Sequence, residues 1–179
     1  MTFPHSQSAG PDETVWQPPE QWPSAEHPPH WRWLIERGSL TERISSDLGA
    51  PVTVELISER RDANDGDLDR EVRLHVDECP IVYAISRIPG VLIQRIPWLA
   101  SLGHQPLGER FFELPGAERD RLQIARLTPQ HPLVECAWSG MEAPGSMVWA
   151  RRSRLVTAGT AITITECFMD SAQLTGVRR

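Results

Sequence analysis

The sequence predicts an α+β fold: an antiparallel β-sheet with helices packed on one face. Three observations carry that expectation. Helix signals come first, over 31–49, and period-two strand signals follow them. The strand-like runs are joined mostly by short turns, which suits antiparallel neighbours. No alternating series of strands and helices is present, so neither a doubly wound sheet nor a barrel is expected.

Residues 1–30 stand apart in composition. They hold seven of the 16 prolines and four carboxylates but no Arg. Such a stretch buries too little apolar surface to offset its ordering entropy, so it is expected as a mobile acidic tail. Trp16 and Trp22 either let it touch the domain or form an interaction peptide. A single domain is expected over 31–179.

That domain opens with two short helices in 31–49. Ser39 and Glu42 stand at capping-box spacing, where each side chain satisfies an orphan amide of the other's segment. Leu40, Ile44 and Leu48 share one face, and Gly49 supplies a left-handed cap. Residues 51–59 alternate and are rich in β-branched side chains, the mark of a strand. A polar turn at 61–67 leads to a second strand at 70–77, a tight turn at 77–80, and a third strand at 80–88. A short helix is expected at 97–102 with Pro97 in its first turn. Further strands are expected at 122–127, 147–157 and 161–169, the last two joined by the turn Ala158 to Thr160. No element is predicted in 128–146.

Composition narrows the function classes. With 179 residues, 40% hydrophobic and 23% charged, the chain has the make-up of one ordinary globular domain. A net charge of −6 argues against a general nucleic-acid or anionic-membrane surface. No apolar run reaches the roughly 18–20 residues of a membrane span, and the start lacks the features of a secretory leader, so the cytoplasm is expected. All 18 basic residues are Arg. The absence of Lys, which high genomic GC content would also produce, excludes Schiff-base chemistry, pyridoxal phosphate attachment and a P-loop lysine. Cys79, Cys136 and Cys167 form no C-x-x-C pair and show no Cys/His signature of a nucleophile, and Cys79 and Cys167, in strand-like runs, read as small apolar residues. The six His show no metal spacing, so no metal site is expected.

Two charges fall on faces where they do not belong. In 70–77 one face is Arg70, Val72, Leu74 and Val76; the other is Glu71, Arg73, His75 and Asp77. In 162–168 Glu166 shares a face with Ile162, Ile164 and Phe168. A buried ion costs several kcal/mol unless paired and hydrogen-bonded. Either Arg70 snorkels from a strand end or pairs with Glu166, or the two line a pocket. In that pocket Arg70 would clamp a carboxylate and Glu166 would accept a hydrogen bond from a ligand hydroxyl. Arg87 is a third candidate, on a face with Ile81, Tyr83 and Ile85, where snorkelling is the simpler reading. Among Arg151, Arg152 and Arg154, parity sets Arg151 with Trp149, Ser153 and Leu155. That pattern suits a solvated face plus one structural pair.

Four segments, in order, carry a family resemblance. They are Trp33-Leu34 with 39–43 (SLTER), 70–80 (REVRLHVDECP), 105–112 (QPLGERFF), and 149–155 (WARRSRL) followed by 164–168 (ITECF). Over about 31–170 the chain resembles chorismate lyase (chorismate–pyruvate lyase) of the ubiquinone pathway. The resemblance implies an antiparallel sheet whose helices and flap-like segments enclose a buried ligand pocket. It implies a single catalytic domain that eliminates pyruvate from chorismate to give 4-hydroxybenzoate with no metal or organic cofactor; a monomer is expected. The family's catalytic and ligand-contacting Arg and Glu fall on Arg70 and Glu166. Two further substrate contacts fall on Leu40 and Leu107, acting through backbone groups and shape. A second family Arg aligns with Ile85, and Arg87, two residues on, is its candidate replacement. The rival reading is a non-catalytic module of the same fold that binds an aromatic acid; no DNA-binding helix pair precedes residue 31 to favour a regulator.

Overall fold

Six strands, β1 (Thr53–Arg61), β2 (Leu68–Val76), β3 (Cys79–Ile88), β4 (Glu118–Leu127), β5 (Val148–Thr157) and β6 (Thr160–Phe168), form one sheet in the computed structural model, which describes residues 14–169. Residues 1–13 and 170–179, parts of the expected tail and domain, lie outside the described residues. The strand order is β1-β2-β3-β6-β5-β4, with every neighbouring pair antiparallel. The architecture is the α+β one expected, except that helices cover both faces of the sheet rather than one. Inserting β6 between β3 and β5 sets Glu166 opposite both Ala84 and Arg151.

The helices are short: α1 (Trp31–Leu34), α2 (Leu40–Leu48), α3 (Gly90–Arg95), α4 (Leu107–Phe111) and α5 (Pro132–Ala137), with a 3-10 turn at Pro97–Ser101. The Ser39 hydroxyl accepts from the Glu42 amide at 3.3 Å, and Gly49 closes α2 with φ 66°, as the capping pattern predicts. Gly90 is obligatory where it stands. A Cβ there would lie 2.2 Å from the Asp65 carbonyl, because the β1–β2 turn rests on the start of α3.

Trp33, Leu34 and Ile44 pack on Val72, Leu74 and Phe168, and Leu92, Leu99 and Phe111 pack on Leu155 and Ile162. The opposite face of the sheet carries α5. Its Leu133, Val134 and Ala137 cover Tyr83, Ala125, Ala150 and Cys167. Arg73 binds the carbonyls of Ala137, the last residue of α5, and of Ser139 just beyond it, where a cation suits the helix dipole. Thus 128–146, where no element is predicted, supplies a cover for the second face. At six residues α5 is too short to register as a period.

The described part of the expected tail, 14–30, lies on the domain. Gln17 and Ile124 exchange backbone hydrogen bonds of 3.0 and 2.7 Å at the edge strand β4. Trp22 meets Trp149 edge-on with centroids 4.9 Å apart, and His27 stacks on Trp31. Of the two roles open to Trp16 and Trp22, contact with the domain is the one seen. Composition misses this because a few aromatic rings supply the apolar area that the rest of the segment lacks. Among the described residues, no helix is long and apolar enough to cross a membrane.

Candidate active site

Between the sheet and the N-terminal ends of α2 and α4 lies a cavity of about 50 Å³. Leu40 and Thr41 line it from α2, Leu107 and Gly108 from α4. Its floor is apolar (Val72, Leu74, Ala84, Leu155, Ile164) apart from Arg70, Ser86, Arg119 and Glu166. The two helices are tied over it by a 2.8 Å bond from the Thr41 hydroxyl to Glu109. Leu40, Arg70, Leu107 and Glu166 come from four separate segments, and the structure places all four on this one cavity.

Strand alternation buries Arg70, which is 3% exposed. One terminal nitrogen, Nη2, donates to the carbonyls of Gly103 at 2.7 Å and Gln105 at 3.0 Å. Its Nε–H is buried with no hydrogen-bond partner. Burial lowers its pKa, and Glu59 opposes that only in part. Arg70 neither snorkels to water nor pairs with Glu166; its contacts are neutral carbonyls of the segment leading to α4.

Glu166 is paired elsewhere. Its carboxylate takes a two-pronged contact from Arg151, Nε to Oε2 at 2.5 Å and Nη2 to Oε1 at 2.9 Å. Arg119 reaches Oε2 from 3.5 Å. Burial by itself would raise the carboxyl pKa, but Arg151 and then Arg119 outweigh it and hold the group below its ordinary range. Arg151 is wholly buried, and its Nη1 also binds the carbonyls of Trp33 at 2.7 Å and Glu36 at 2.9 Å. It is the structural pair expected among 151–154. Arg152 and Arg154 face outward, onto Gln123 and Asp120.

Arg87 does not belong to the site. Ala84 and Ser86 are the β3 residues that line the cavity, so alternation turns Ile85 and Arg87 to the other face. There Arg87 is held by Asp67 at 2.9 Å, Asp69 at 3.4 Å and Asp65 at 3.6 Å. It therefore does not replace a second pocket Arg on β3.

The residue that sequence reasoning misses is Arg119. It lines the cavity with a side chain 2% exposed. Strict alternation back from Leu122 and Ile124 would put it on the outer face. A β-bulge between Asp120 and Gln123, with Arg121 at φ 46°, adds a residue and turns Arg119 inward. None of the three cysteines lines the cavity. Cys167 is on the α5 face, and burial pushes its thiol up to about 12. Among the described residues, no group of three or more His, Cys, Asp or Glu could hold a metal ion.

The family model described as "Chorismate lyase" matches residues 10–178. Similar curated proteins include one from Halorhodospira halophila, 37% identical over 153 residues, covering 76% of this chain and 79% of the relative. Another, from Nitrosomonas europaea, is 34% identical over 158 residues, covering 79% and 86%. Both carry the name "Probable chorismate pyruvate-lyase". Among solved structures, the ligand-binding domain of a putative GntR-family transcriptional regulator from Bordetella bronchiseptica matches 67% of this chain and 86% of its own, with a TM-score of 0.48 and 13% identity.

Proposed function

The chain belongs to the chorismate lyase family, and from that premise we propose how its cavity performs the family's carbon–oxygen lyase reaction. The substrate is chorismate, a cyclic dicarboxylate with an enolpyruvyl ether beside a ring hydroxyl. The products are pyruvate and 4-hydroxybenzoate. The observation that carries the reading is the convergence of Arg70, Glu166, Leu40 and Leu107 on one mostly apolar cavity.

Arg70 holds a carboxylate, and its unpartnered Nε–H gives that carboxylate a donor the protein does not use. Glu166 accepts a hydrogen bond from the ring hydroxyl. Leu40 and Leu107 wall the ring, and backbone groups beside them orient it. The ring–oxygen bond breaks with its electron pair going to the enolpyruvyl oxygen. The ring carbon that bears the hydroxyl loses its proton, and the ring becomes aromatic. The proton ends on the enolpyruvyl methylene, which becomes the methyl of pyruvate. Two Arg side chains hold Glu166 ionised, so that it can only accept a hydrogen bond, and lower its basicity, which favours direct proton transfer within the substrate. No protein nucleophile is needed, since aromatisation drives the elimination.

In this reading the chain works as a cytoplasmic monomer at the first committed step of ubiquinone biosynthesis. The test is incubation of the purified chain with chorismate, following 4-hydroxybenzoate by absorbance and pyruvate by a coupled assay. Equimolar appearance of both supports the reading; a folded chain that forms neither overturns it.

A further inference from the structure

Of the charged residues that the fold buries among those described, three are cations and one is an anion: Arg70, Arg119, Arg151 and Glu166. Two positive charges are left in excess inside the protein. Uncompensated buried charge is costly, so the cavity is built for a ligand that brings two negative charges. Arg151 is spent on Glu166 and the carbonyls around α1. The excess therefore sits on Arg70 and Arg119, the two Arg that line the cavity.

These two share a second feature. Each has a buried Nε–H with no hydrogen-bond partner among the described residues. Every other polar contact of Arg119 is weak or neutral. Nη1 donates to the Ser153 hydroxyl at 2.6 Å and to Glu166 at 3.5 Å, and Nη2 to the Gly38 carbonyl at 3.5 Å. Burial, and then the neighbouring Arg151, press its pKa down to about 9. A cation so pressed gains from an incoming anion.

Position separates the roles of the two Arg. Arg119 contacts Glu166, whereas Arg70 contacts the segment leading to α4. If Glu166 marks the ring hydroxyl, Arg119 lies at the hydroxyl end, where the ether side chain is attached. The ring carboxylate is at the opposite end of the ring. Resting on the reaction proposed above, we infer that Arg119 binds the carboxylate of the enolpyruvyl group, the half that departs as pyruvate, while Arg70 binds the ring carboxylate. Arg119 then steadies the charge that builds on the leaving group.

Two stable aromatic ligands test this. One is 4-hydroxy-3-(carboxymethoxy)benzoate, which keeps a carboxylate on the ether; the other is 4-hydroxy-3-methoxybenzoate, which lacks it. The wild-type chain should bind the first about thirtyfold more tightly than the second, the worth of one hydrogen bond to a charged group. Arg119→Gln should abolish that preference, because any loss passed through the Arg119–Glu166 contact falls on both ligands alike and cancels in the ratio of their affinities, whereas the loss of the side-chain carboxylate contact falls on the first ligand alone. Arg70→Gln should weaken both ligands alike. A preference that survives in Arg119→Gln, or is lost only in Arg70→Gln, overturns the assignment. If Arg119→Gln does not fold, Nε–H resonances of the ¹⁵N-Arg-labelled wild type decide. Two buried Nε–H signals should move with the carboxymethoxy ligand and one with the methoxy ligand; an equal response to both ligands overturns it. Chorismate turnover by the wild type is scored separately, so loss of the reaction assignment and loss of the Arg119 assignment give different results.

Discussion

Arg151→Met removes the most heavily bonded buried cation of the fold while roughly conserving its volume. The substitution deletes two bonds to Glu166, at 2.5 and 2.9 Å, and those to the carbonyls of Trp33 and Glu36, at 2.7 and 2.9 Å. Glu166, 3% exposed, keeps only Arg119 at 3.5 Å. Breaking a buried ion pair by removing one partner costs about 3–5 kcal/mol. For a domain of this size each kcal/mol is worth about 2–4 °C, so Tm should fall by about 6–20 °C. Urea unfolding followed by tryptophan fluorescence reads the free energy. Glu166→Met and the double variant complete a cycle. The double variant should recover about 2 kcal/mol relative to the sum of the single losses, because no lone charge is then left in the core. A loss below about 1 kcal/mol in Arg151→Met, or strictly additive losses, would refute the claim that this pair is an interdependent buried unit.

Arg70→Ala should lower kcat/KM for chorismate at least about a hundredfold with the fold retained, as for a lost charge-directed donor; near-native turnover would remove Arg70 from the mechanism. Trp22→Ala should cost about 1–2 kcal/mol, a fraction of a core aromatic truncation because the ring is only half buried against Trp149; an unchanged urea midpoint would mean that 14–30 contributes nothing to stability. Glu166 has its carboxyl held below its usual value of 4.5. Its ionised form therefore stabilises the fold fully above about 4.5, and that contribution is lost as pH falls through the lower folded value. The stability gap between wild type and Glu166→Gln should be flat from pH 7 to about 5 and narrow below that. A gap that changes between pH 6 and 8 would assign the titration to another group.

Much of the site was legible in the sequence because strand alternation is a strong constraint. One slip of register moves every side chain to the other face, so Arg70 among Val72 and Leu74, and Glu166 among Ile164 and Phe168, could be placed inside without coordinates. The same rule places Arg151 on a buried face. It does not name its partner, because cross-strand pairing of β5 with β6 is a long-range fact. Arg119 was hidden by the bulge at 120–123, which breaks the period locally. Arg87 was a candidate first by its parity with Ile81, Tyr83 and Ile85 and then by the resemblance, but the β3 residues on the cavity are Ala84 and Ser86. Helices α3, α4 and α5 run for six, five and six residues, fewer than two turns, so no amphipathic stripe develops. The hold of 14–30 on the domain depends on where Trp22 lands, and composition carries no such information.

The account stands on Arg70 and Glu166 gripping opposite ends of one ring, and a crystal structure of the chain soaked with 4-hydroxybenzoate measures that directly. The carboxylate should lie within hydrogen-bond distance of Arg70 and the phenol oxygen against Glu166, with Leu40 and Leu107 on the ring. Product bound outside this cavity, or with its carboxylate against Glu166, would contradict it.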